Sequence, residues 1–116
     1  MYYKYGEFSQ MQMSDIKQLL RKKIFFLLLI VDPKTSENYQ NVDVDAAFVD
    51  VLNLIGGLNS LMDFPEENVI VSSLIENART MYGSESFNFL QFRKLILDAG
   101  NKVKDISEVD EKNVSL

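Results

Sequence analysis

"RKKIFFLLLIVDPKT", residues 21–35, sets three basic side chains against eight consecutive apolar ones and then halts at Asp32-Pro33. A membrane, a partner surface or a protein interior could each account for such a run. Length argues against the membrane. As a helix, Ile24–Val31 extends about 12 Å, against a hydrocarbon core of about 30 Å. Extending the segment back to Leu19 draws Arg21, Lys22 and Lys23 into it, and each charge is costly at bilayer depth. An in-plane membrane helix needs a polar face along its length, which residues 24–31 lack. No membrane span is expected.

A helix that is apolar all round must be covered all round. The run is therefore expected to form the central helix of a small domain, wrapped by its neighbours, or else to leave part of its surface to a partner. Phe25, Phe26 and Leu29, with Phe89 and Phe92 further along, are the candidate partner interface. A homodimer through a self-complementary patch is the simplest such arrangement. Arg21, Lys22 and Lys23 form a candidate basic cluster, occupying most of one helical turn.

Outward from this run, the pattern predicts an all-α bundle of about four main helices. The first runs from an N-cap at Ser14, with Asp15 in its first turn, to Val31, where the residue before Pro33 leaves the α region. Residues 33–42 read as a polar loop. A second helix starts near Asp43, with Val44, Phe48, Val51, Leu52 and Ile55 at helical spacing. Gly56-Gly57 is expected to break or kink it, or to allow a close helix contact. The third begins at an Asp63/Glu66 capping box with Pro65 in the first turn. Val71, Leu74, Ile75, Ala78 and Tyr82 form its stripe, and Gly83 ends it. The β-branched "VIVSSLI" leaves a short strand as the local alternative. A fourth helix starts near Ser86, with Phe89, Phe92, Ile96 and Ala99 on one face and Gly100 just past its end.

Residues 1–104 are read as one helical domain, opened by an arm at 1–13 that carries Tyr2, Tyr3, Tyr5 and Phe8. The arm lacks the apolar core and small-residue cleavage site of a signal peptide. Residues 105–116 read as a polar tail.

With 116 residues and 47% of them hydrophobic, the chain suits a single domain. It contains neither Cys nor His, so this chain cannot build thiolate zinc sites, Cys nucleophiles or Ser-His-Asp triads. Its net charge of −5 is uneven: residues 41–92 hold one basic against eight acidic residues. Such a middle repels phosphate backbones, so no direct nucleic-acid binding is expected. Asp45, Asp50, Glu66, Glu67 and Glu76 form the candidate acidic face.

The remaining chemistry is thin. The window Asp32–Asp43 has an EF-hand's length, but Glu37 sits where that loop wants Gly and Asp43 where it wants Glu. "DVD" at 43–45 could offer magnesium two oxygens, yet capping explains Asp43 without an ion. Gly56-Gly57 lacks the rest of a phosphate loop, and Ser72-Ser73 has no base beside it. No catalytic residue, cofactor or metal is assigned. The expectation is a non-enzymatic protein acting by protein–protein contact: an adaptor, inhibitor or immunity-type accessory protein of a bacterium or phage. It would be cytoplasmic, or virion-associated if phage-encoded. A structural subunit of a virion is the alternative, and an inhibitor mimicking phosphates on a nucleic-acid enzyme is a special case.

Overall fold

Pro33 ends the first helix as the sequence requires, and the stop is reinforced by hydrogen bonds. The Asp32 carboxylate accepts from the Lys34 amide at 2.9 Å, and the Thr35 hydroxyl donates to the Leu29 carbonyl at 2.7 Å. This computed structural model describes residues 10–62 and 65–106. Four α-helices appear: α1 (Gln10–Val31), α2 (Val44–Met62), α3 (Glu66–Tyr82) and α4 (Phe89–Lys102). A short 3-10 helix, Ser36–Tyr39, lies in the first connection, and another, Val103–Asp105, follows α4. No strand occurs among the described residues, so "VIVSSLI" is helical. The all-α bundle is as expected.

Each helix packs on its sequence neighbours, and α4 closes the ring against α1. Among the described residues, α1 and α3 make no close backbone approach, and neither do α2 and α4. Ring contacts bring the start of α2, the end of α3 and the start of α4 to one end of the molecule, so these neighbours run antiparallel in a square up-and-down bundle. This corrects the expectation of a central first helix: α1 is one corner of the square. Its inward side holds Met13, Leu20, Ile24, Leu27 and Ile30, all buried. Phe25, Phe26 and Leu28 are half-buried, and Leu29 is 41% exposed. Of the all-apolar run, Leu29 is the exposed member, while Phe25, Phe26, Leu28 and Val31 pack partly against the core and keep part of their surface open.

Several boundaries move for physical reasons. α1 begins at Gln10, so Ser14 lies inside it rather than capping it, and Met13 belongs to the core rather than to an arm. Tyr2, Tyr3, Tyr5 and Phe8 lie outside the described residues, as does Asp63 of the expected capping box. The N-cap of α3 is Pro65, which needs no N–H there, and Glu66 and Glu67 fill the first turn. Asp43 does cap α2, its carboxylate accepting from the Ala46 amide at 3.1 Å. The start of α4 lies beyond Ser86, because the Asn88 side chain accepts from both the Leu90 and Gln91 amides. Gly83 does end α3, in right-handed rather than left-handed geometry. Gly56 and Gly57 neither break α2 nor face another helix: an added Cβ at either would meet nothing within 4 Å.

The core is aromatic at one end and polar at the other. Phe48, Tyr82, Phe87, Phe89 and Phe92 interlock where α2 starts, α3 ends and α4 starts, with Phe92 at ring-centroid distances of 5.7–6.3 Å from its four partners. At the opposite end, Asn59 and Asn68 are buried with no hydrogen-bond partner for either side-chain oxygen. The Asn68 amide donates to the Met62 sulfur at 3.5 Å.

Candidate functional site

The outward side of α1 gathers most of the features singled out in the sequence. Reading "RKKIFF" around a helix separates the three basic residues by about 100° each, and the structure gives each a different partner. Arg21 donates from Nε to the Gly100 carbonyl at 3.2 Å, one of the carbonyls at the end of α4 that has no partner within its own helix. Its positive charge there also complements the α4 dipole. Lys23 turns the other way and pairs with Asp50 of α2. Lys22, between them, is exposed. The basic cluster is thus split three ways.

Beside Arg21, the Phe25 ring lies 5.4 Å below the guanidinium carbon. The same ring lies against the backbone at Gly100, where a Cβ would fall 2.3 Å from Phe25 Cζ. Gly100 is therefore inside α4 and buried, not past its end: the missing side chain makes room for Phe25. Gly100→Ala should destabilise the domain by about 1–2 kcal/mol through overpacking, although alanine favours a helix by about 1 kcal/mol. Phe25→Leu, which lacks the clashing ring atoms, should remove that penalty in a double-mutant cycle followed by denaturant unfolding. Additive effects would show that ring and glycine are not in contact.

The next residue, Phe26, packs edge-to-face on Tyr39 at 5.3 Å between centroids. The "polar" loop thus folds back over α1, a contact that sequence reading missed. Tyr39 was the single aromatic residue in 33–42, and that isolation was the available signal.

Two open grooves flank Phe26 and Lys22, which form the ridge between them. The first, about 650 Å³, is a trough lined by Arg21, Lys22, Phe25, Phe26, Leu28 and Leu29, with Gln18 at one end. The second, about 540 Å³, lies toward the start of α2, with Phe26, Val42, Ala46 and Ala47 below and Lys23 and Asp50 at its rim. Together they make a continuous surface, with Phe26 and Lys22 along its middle and Arg21, Lys23 and Asp50 among its charged edges.

The other candidates lie elsewhere. Phe92 is 0% exposed, which removes it from the interface set and makes it core. Phe89 stacks on Phe92 at 6.3 Å and belongs to the same aromatic cluster. The acidic residues do not form one face. Asp45 pairs with Arg79 at 2.7 Å, Asp50 pairs with Lys23, Glu66 and Glu67 start α3, and Glu76 lies near Arg79 in a shallow groove. As exposed pairs, these ion pairs contribute about 1 kcal/mol or less each. The Asp32 and Asp43 carboxylates are engaged with backbone amides. No group of three metal-ligating side chains is found among the described residues, and no described helix is long and apolar enough to cross a membrane.

No protein-family model matches this sequence, no curated protein matches it, and no solved structure matches it.

Proposed function

We propose that this chain is a non-enzymatic protein that works by protein–protein contact, and that its contact surface is the outward side of α1. One observation carries this reading: Phe26, Leu28 and Leu29 remain partly or largely uncovered on a corner helix, flanked by the charged Arg21 and Lys22. Apolar side chains at helical spacing, with charge at the rim, suit an amphipathic segment laid along the trough. The sign of that rim favours a segment with acidic flanks. This changes the expected steering, in which acidic helices would attract a basic partner: the carboxylates nearest this surface are already paired. Nor do the scattered carboxylates offer a continuous stand-in for a phosphate backbone. Such a role suits the adaptor, inhibitor or immunity-type class, in the cytoplasm or, for a phage-encoded chain, on a virion.

Leu29→Glu tests the assignment. Leu29 is exposed enough for the fold to tolerate the charge, so thermal stability should change little. Capture of the partner by cross-linking in native cells should fall at least about tenfold, the scale expected when an apolar anchor is lost. Light scattering of the purified wild type shows whether the partner is a second copy. Undiminished capture by a folded Leu29→Glu chain would refute the reading.

A further inference from the structure

The stripe of side chains along the outward side of α1 is complementary to its own reverse. At about 100° per residue, Lys22, Phe25, Leu29 and Asp32 fall within about 80° of one another. They follow at intervals of three, four and three residues, the spacing with which two helices pack along a shared seam. We propose that the partner on this side is a second copy of the chain, its α1 laid antiparallel so that Phe25 meets Leu29 and Lys22 meets Asp32 of the other copy. This rests on the outward side of α1 being the contact surface.

The side chains at these positions suit such a seam. Leu29 is 41% exposed, Phe25 is half-buried, and Phe26 and Leu28 flank them, also half-buried. Lys22 is exposed and enters no ion pair among the described residues, whereas its neighbour Lys23 is tied to Asp50. Asp32, at the end of α1, accepts from the Lys34 amide through Oδ1 and likewise enters no ion pair among those residues. A two-fold axis makes every contact twice. Two Lys22–Asp32 pairs would thus bracket two Phe25–Leu29 contacts, over about 15 Å of each helix.

Order along α1 selects the register. Sliding one helix by seven residues sets Asp15 against Asp32 and Lys22 against Phe25. A further slide sets Asp15 against Phe25 and Lys22 against Gln18. A parallel pair sets Lys22 on its own image, and Asp32 likewise. Each alternative opposes like charges or presses a charge onto a ring, and both are unfavourable. The proposed register joins opposite charges and keeps apolar side chains together.

Charge exchange tests it. Sedimentation equilibrium of the full-length wild type should show a dimer. Lys22→Glu, at an exposed helix position that tolerates the change, should raise the dissociation constant at least about tenfold, because it creates two like-charge pairs. Asp32→Lys should weaken the dimer in the same way. Mixed in equal amounts, the two variants should associate as tightly as the wild type, since each chain then meets opposite charge at both ends. A monomeric wild type, an unchanged dimer in Lys22→Glu, or a mixture of folded variants no tighter than either alone would each overturn the proposal. The Lys22→Glu result stands by itself if circular dichroism shows that Asp32→Lys disturbs the end of α1. The two readings fail separately. A monomeric wild type whose capture still falls in Leu29→Glu removes only the second copy. A dimer that survives Leu29→Glu removes the outward side of α1 altogether.

Discussion

Phe92→Ala should cost about 3–5 kcal/mol, the range for removing a fully buried aromatic ring, and so consume much of the 5–15 kcal/mol that holds a typical domain together. The ring is 0% exposed and touches Phe48, Tyr82, Phe87 and Phe89. Its loss leaves a cavity shared by three helices, which no single neighbour can fill. Leu90, two residues earlier and 75% exposed, is the control: Leu90→Ala should shift stability by no more than about 0.5 kcal/mol. Urea titration followed by circular dichroism measures both. The contrast separates core from interface, since an interface phenylalanine would lose binding while leaving the unfolding midpoint where it was. A Phe92→Ala midpoint close to that of Leu90→Ala would contradict the packing described.

The second large effect is expected at Ile106. Read as part of a polar tail, it would be replaceable at no cost. In the structure it and Val103 are buried against the bundle, while Lys17 Nζ donates to the carbonyls of Lys104 and Ile106 at 3.2 and 2.7 Å. Ile106→Ala should therefore destabilise by about 2–4 kcal/mol. Thermal unfolding of this variant beside Lys104→Ala, an exposed position, tests it. Equal melting temperatures would return Ile106 to the tail.

The parts of this fold that were legible in the sequence are those set by local chemistry. Pro33 stops a helix whatever surrounds it, and the stripes Phe48–Val51–Ile55 and Val71–Ile75–Ala78 declare their inward faces by spacing alone. Tertiary geometry was not legible. Gly56-Gly57 looked like a break because glycine is a poor helix former, yet α2 continues through both. Gly100 looked like a helix end because glycine often is one, whereas its role depends on a phenylalanine 75 positions earlier. The same holds for the candidate site. Composition marked Phe25, Phe26 and Leu29 as apolar excess, and these do share the outward side of α1. It could not separate them from Phe92, because which way a helix turns is set by its neighbours.

Arg21, Lys22 and Lys23 show the limit most clearly. As sequence they are one basic cluster; around a helix they are three directions. One caps α4, one ties α1 to α2, and one is left exposed beside the trough.

The unequal ends of the core also bear on how the molecule moves. At the Phe92 end, five rings lock three helices together. At the other end, α2 passes through two glycines that contribute no side-chain packing, toward the buried Asn59 and Asn68 side chains. Amide side chains regain hydrogen bonds to water when exposed, whereas rings do not, so opening that end sacrifices less than opening the aromatic end. Local unfolding should start there and spread toward the rings. Native-state amide exchange would then be faster over 56–62 and 68–72 than over 48–52 and 78–82, and uniform exchange along α2 would contradict it. The bundle would breathe like a hinge-mounted jaw, closed at its aromatic end and opening first along the later turns of α2 and the first turns of α3.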